Sequence, residues 1–98
     1  MIEYQLRDYE IKPQAYAEFI QEWAENIVPL RRKHGFEVVG AWSDGATRFV
    51  WIIAREDFEA ADRAYYESPE RAALKPDISR HLARIDTTLL REVPVPPA

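Results

Sequence analysis

The chain has 98 residues, 31% of them charged and 47% hydrophobic, with a formal net charge of -4 and no cysteine. That length fits one domain with one core, and the acidic balance argues against nucleic-acid binding, which needs surplus Lys and Arg to neutralise phosphates. Without cysteine there are no disulfides, thiolate metal ligands or thiol nucleophiles, and a reducing, cytoplasmic setting is expected.

The N-terminal MIEYQLRDYE lacks a basic region followed by an apolar stretch, so no signal peptide is expected. Residues 2–11 read as a strand with Tyr4 and Leu6 on one face and Gln5, Arg7 and Tyr9 on the other. Pro13 suits a helix's first turn. From Ala15 to about Lys33 the apolar residues Tyr16, Phe19, Ile20, Trp23, Ile27 and Leu30 recur at helical spacing, opposite a charged stripe of Glu18, Glu22, Glu25 and Arg32. Pro29 predicts a kink or break in that helix, and Gly35 its end, after a basic run that includes His34.

A hairpin follows, about 36–43 and 47–55, turned at Asp44-Gly45. A second helix is expected over 57–67, with Asp57 as N-cap and Glu59 four residues before Arg63. Ser68-Pro69-Glu70 carries the order of cap, first position and first turn, predicting a short helix to about Leu74. Lys75-Pro76-Asp77 breaks it, 77–82 offers another turn, and 83–93 reads as the last strand. A single domain over 1–93 with a Pro-rich tail, 94–98, completes the chain. The longest apolar run, FVWIIA, is too short to cross a bilayer, so no membrane insertion is expected.

The order β-α-β-β-α-β predicts an α+β, ferredoxin-like fold: a four-stranded antiparallel sheet with both helices on one face. The other face should then be polar, yet the hairpin strands are apolar on both sides. Phe36, Val38, Gly40 and Trp42 alternate with Val39 and Ala41, and Phe49, Trp51 and Ile53 with Val50, Ile52 and Ala54. Leaving two or three such side chains in water forfeits several kcal/mol at ~25 cal/mol/Å². A second copy is the economical cover, so a homodimer forming a dimeric α/β barrel is expected. With Tyr4 and Leu6 read as helix-facing, Gln5, Arg7 and Tyr9 look into that interface, where a pocket of aromatics and a few polar groups suits a small molecule.

Candidate lining residues are Gln5, Arg7, Tyr9, His34, Trp42, Trp51 and Tyr66. Arg7 needs either a carboxylate, with Asp86 or Glu92 of the last strand within reach, or an anionic ligand. His34 can serve as a general base or simply meet the helix's last carbonyls. His81 reads as a surface residue. Two isolated histidines without paired carboxylates give no metal site, and no cofactor is expected. Of Tyr65 and Tyr66, one is expected inward and the other towards a cavity or the partner. Trp42 and Trp51 offer flat surfaces for stacking or for filling an interface. No phosphate loop, serine nucleophile motif or dinucleotide fingerprint is present, and RFVWII lacks the lead-in of an RNA-recognition strand.

The segments YQLRDYEIKP, VPLRRKHGFEVVGAW, RFVWIIA and ADRAYYESPERAAL resemble, in order, the NIPSNAP family over nearly the whole chain. The resemblance implies a ferredoxin-like domain that dimerises into an α/β barrel, within a superfamily that includes cofactor-independent monooxygenases, small isomerases and haem-binding enzymes. It supplies no catalytic set. Relatives often read Tyr-Glu-Leu-Arg in the first strand where this chain has Gln5, which binds but does not accept a proton in the useful range. The combined expectation is a dimer holding a small, largely apolar molecule, with monooxygenase- or isomerase-like chemistry. The alternative is a non-enzymatic scaffold whose barrel is a filled core.

Overall fold

The computed structural model describes residues 1–98. Four strands, β1 (Ile2–Ile11), β2 (Glu37–Ser43), β3 (Arg48–Glu56) and β4 (Leu82–Leu90), form one antiparallel sheet in the order β2-β3-β1-β4. Between β1 and β2 run α1 (Tyr16–Glu22), a π-helical turn (Trp23–Ile27) and α2 (Val28–Lys33). Between β3 and β4 lie α3 (Phe58–Glu67), α4 (Pro69–Ala72) and a 3-10 turn (Ile78–His81). This is the ferredoxin-like arrangement read from the sequence. No helix is long and apolar enough to cross a membrane.

The irregular helix has a local cause. Pro29 has no N–H to return to the preceding turn, and the chain accommodates it by widening to π geometry over Trp23–Ile27 before α2 begins. The break thus precedes the proline. Gly35, at φ 85°, ends α2 in a backbone conformation that a β-carbon would strain. At the hairpin, Asp44 accepts from the backbone N–H groups of Ala46, Thr47 and Arg48, each at 2.9 Å, which fixes the turn at the expected place. Ser68 caps α4 by accepting from the Arg71 N–H at 3.1 Å, and Glu59 reaches Arg63 at 3.4 Å. Asp57 departs from expectation. It stands at the N-cap position of α3 with a left-handed backbone, φ 49°, and its side chain caps nothing.

Two expectations about the sheet's faces are corrected. Arg7, Tyr9 and Ile11 are the buried residues of β1, and they share their face with Trp51 and Phe49, opposite which Arg7 and Tyr9 pair. That face packs under Phe19, Ile27, Phe58 and Tyr65 of the helices to form the core. Tyr4 and Leu6 therefore lie on the uncovered face, the reverse of the expected orientation. In β2, the register shifts between Val38 and Gly40: Val38 pairs with Ile53 on the helix side, but Gly40 and Trp42 pair with Ile52 and Val50 on the other. This bulge turns Trp42 outward, 55% exposed, with its ring over Gly40, where a β-carbon would come within 2.8 Å of it.

The uncovered face thus carries Tyr4, Leu6, Val39, Trp42, Val50, Ile52 and Leu90, none of them fully buried. Its apolar character is as expected. The chain after Leu90 has no regular structure and is exposed.

Candidate functional site

The re-assigned face of β1 places Arg7 inside the chain, between sheet and helices, at 8% exposure. Neither Asp86 nor Glu92 pairs with it. Asp86 bonds Arg84, and Glu92 accepts from the Tyr4 hydroxyl. Arg7 instead spends its fork on three neutral oxygens. Nε donates to Tyr9 Oη at 2.6 Å, Nη1 to Gln5 Oε1 at 2.7 Å, and Nη2 to Tyr66 Oη at 3.0 Å. Its guanidinium also lies 5.6 Å from the Tyr9 ring centre and 5.8 Å from that of Trp51. Burial disfavours the charge, but the oxygens of Tyr9 and Tyr66, with Asp62 farther off, outweigh it and push the Arg7 pKa up. The result is a buried cation with no carboxylate of its own.

Two further arginines converge on Tyr66. Arg31, 1% exposed, donates from Nη1 to Asp62 Oδ1 at 2.7 Å and from Nη2 to Tyr66 Oη at 3.3 Å, with its guanidinium 3.8 Å from the Tyr65 ring centre. Arg71 approaches Asp77 Oδ2 at 3.4 Å and the Tyr66 ring centre at 5.6 Å. Burial opposes ionisation of Asp77, yet the Ser79 N–H and Arg71 hold its carboxyl below the ordinary range. Burial also pushes the Tyr65 phenol up.

These groups wall a cavity of about 210 Å³. β1 and β3 supply Arg7, Tyr9 and Trp51, and the first helix Phe19, Trp23, Ile27 and Arg31. Tyr66, Arg71, Asp77, Ile78 and Ser79 close it from the second crossover, while Leu82 and Ile85 of edge strand β4 form its remaining side. The lining is mostly apolar, and four of its buried N–H donors lack a partner: Trp23 Nε1, Trp51 Nε1, Arg31 Nε and Arg71 Nε. Buried donors of that kind are costly, each by about 1–3 kcal/mol. The lining thus sets an aromatic wall beside the guanidinium-bearing Arg7, Arg31 and Arg71 and a single carboxylate residue, Asp77. A second cavity, about 230 Å³, shares Ile27, Arg71 and Ile78 with the first.

Of the seven candidate residues, Arg7, Tyr9, Trp51 and Tyr66 line this cavity, and Gln5 anchors Arg7 at its edge. His34 and Trp42 lie elsewhere. His34 ends α2, its ring edge-on to Tyr65 and its Nε2 3.4 Å from Glu70 Oε1 without hydrogen-bond geometry. Trp42 is on the opposite face of the sheet. Tyr65 and Tyr66 divide as expected, the first buried and the second at the cavity.

Arg31, Arg71 and Trp23 were not singled out from the sequence. Arg31 had a signal: with Phe19, Trp23 and Ile27 it continues a four-residue spacing into the core face. His81 is buried rather than on the surface, with Nε2 3.0 Å from Glu22 Oε2. Glu18, Glu22 and His81 bring their ligand atoms within 4.8 Å of one another. The cation at this cluster is Arg80, which bonds Glu22 at 3.0 and 2.7 Å and lies 3.8 Å from Glu18. Burial pushes the Glu22 carboxyl up, and its bonds from Arg80 and His81 outweigh that and hold it low.

Comparison with curated proteins finds no match. Among solved structures, a NIPSNAP family protein of unknown function from Agrobacterium tumefaciens is 18% identical, with a TM-score of 0.84 over 98% of this chain and 92% of its own. Another NIPSNAP family protein from the same organism is 13% identical, with a TM-score of 0.83 over 95% of this chain and 94% of its own. A protein named as an antibiotic biosynthesis monooxygenase is 21% identical, with a TM-score of 0.66 over 96% of this chain and 100% of its own. At these identities the likeness establishes the fold. The NIPSNAP family model matches residues 4–97, almost the entire chain, and the protein therefore belongs to the NIPSNAP family.

Proposed function

We propose that this protein is a homodimeric, cytoplasmic binder of a small flat acid, held within each protomer between the helices and the sheet. The acid group sits at Arg7 and the ring against Trp51 and Trp23. The observation that carries this is Arg7 itself: a buried guanidinium with no carboxylate, lining a cavity together with Arg31, Arg71 and aromatic side chains. An unpaired buried charge is costly enough that its partner is best sought in a ligand. The guest remains largely apolar in its body, as the aromatic lining requires, but it carries a negative end.

The volume of the cavity within the protomer supports a small guest. About 210 Å³ is several times the ~30 Å³ share of one water, yet below the ~300 Å³ where drug-sized sites begin, so a single-ring acid is the right scale. The dimer covers the apolar sheet face with a second copy. The lack of cysteine supports the cytoplasmic location.

The test is tryptophan fluorescence titration with benzoate and with benzamide, which match in shape and differ in charge. Benzoate is expected to bind at least tenfold more tightly, and Arg7→Met to abolish that preference. Equal affinity for the two, or no binding of benzoate, contradicts the assignment.

A further inference from the structure

Tyr66 is held in a way that mere packing does not require. A phenol oxygen has two acceptor lone pairs and one O–H to donate. Arg7 Nη2 and Arg31 Nη2 occupy the acceptor side at 3.0 and 3.3 Å, so both bonds come from cations. The O–H donates to no group of the protein, while the residue lines the cavity. Three guanidiniums, those of Arg7, Arg31 and Arg71, surround this phenol, and only the latter two have carboxylates, Asp62 and Asp77. One positive charge is left over where the oxygen stands. Tyr66 as a residue is 44% exposed, so this cavity-lining side chain is reached by solvent.

We infer that Tyr66 transfers a proton to and from carbon in the bound acid, making the site a cofactor-free tautomerase for aryl acids with an enolisable carbon. This rests on the acid-binding reading above and adds a reaction to it. Take the enol of an aryl 2-oxo acid, its carboxylate at Arg7. The Tyr66 O–H bond breaks and its proton forms a new C–H bond at C3, using the electron pair of the C2=C3 π bond. The C2–O π bond forms, and the enol hydroxyl proton passes to the phenolate oxygen. Tyr66 ends as it began, with no electrons exchanged and no co-reactant consumed. The negative charge that appears briefly on the phenolate faces two N–H donors already in place, so little reorganisation is needed when it forms.

Phenylpyruvate is the probe, because it combines ring, carboxylate and enolisable carbon. The loss of its enol absorbance is followed with wild type and with Tyr66→Phe, and benzoate affinity is measured on both. The expected result is acceleration over buffer by wild type and a loss of kcat of about 100-fold or more in Tyr66→Phe at saturating phenylpyruvate. In deuterated water the wild type should place a single deuterium on one face of C3, a readout that a structural tyrosine would not move and that needs no variant. Benzoate binding without acceleration, full activity in Tyr66→Phe, or deuterium on both faces overturns the proton-transfer role and leaves acid binding standing. Failure of wild type to bind benzoate overturns both.

Discussion

Arg7 and Arg31 are both buried arginines on the same cavity, and removing each should have very unequal consequences. Arg31 is ion-paired to Asp62, whose side chain is 24% exposed. Deleting one partner of a buried pair costs about 3–5 kcal/mol by stranding the other, and the partial exposure of Asp62 argues for about 3 kcal/mol in Arg31→Met. Arg7 strands nothing charged. The gain from its three bonds to neutral oxygens is set against a desolvation cost of several kcal/mol for the unpaired cation. The two nearly cancel, so Arg7→Met should leave unfolding within about 1 kcal/mol of wild type. Urea titration followed by circular dichroism, at one fixed protein concentration so that the proposed assembly contributes equally to each variant, reads this directly. At a slope of about 1.5 kcal/mol/M, Arg31→Met should lower the midpoint by about 2 M, while Arg7→Met should barely move it. A fall for Arg7→Met as large as that for Arg31→Met would refute the reasoning, because Arg7 would then be a structural cation satisfied by its tyrosines and Gln5.

The assembly and the acid limb can be tested separately. Trp42→Glu places a charge on the uncovered face and should weaken the proposed dimer by at least about 30-fold, about 2 kcal/mol; sedimentation equilibrium reads this, and an unchanged association constant would refute pairing through that face. For pH, Asp44 is lowered to about 2 by the N–H groups of Arg48, Ala46 and Thr47, and Asp8 and Glu70 are lowered chiefly by Arg48 and Lys33. Each folded value lies below the unfolded one, so the stabilisation is complete above about pH 4.5 and lost as pH falls towards 2. The Tm should therefore hold level from pH 6 to 5 and decline steadily below 4.5; a Tm that stays level to pH 2 would show that these contacts do not favour the fold.

The element order was legible because its signals are local: Asp44 and Gly45 at the hairpin, Ser68-Pro69-Glu70 at α4, and the spacing of Phe19, Trp23 and Ile27. The faces were harder. β1 is amphipathic in both phases over residues 4–9, with Tyr4 and Leu6 set against Arg7 and Tyr9. The arbiter is Ile11, which shares its parity with Tyr9 and lies in the core. The orientation of Trp42 depends on a bulge in β2, which a short apolar run does not announce. Long-range pairs were out of reach: His81 meets Glu22 59 positions back, and Arg31 meets Asp62 31 positions on. The candidate site was half legible for the same reason. Its strand residues, Arg7 included, were readable as a set, but the ion-paired Arg31 and Arg71 come from separate helices brought together by the fold.

The most direct measurement is a crystal structure with 4-bromobenzoate, read through the anomalous signal of bromine. Acid binding at Arg7 places the carboxylate within about 3 Å of the guanidinium and the bromine inside the cavity beside Trp51. Bromine confined to the outer sheet face or the surface, with the Arg7 cavity unchanged, would contradict the account.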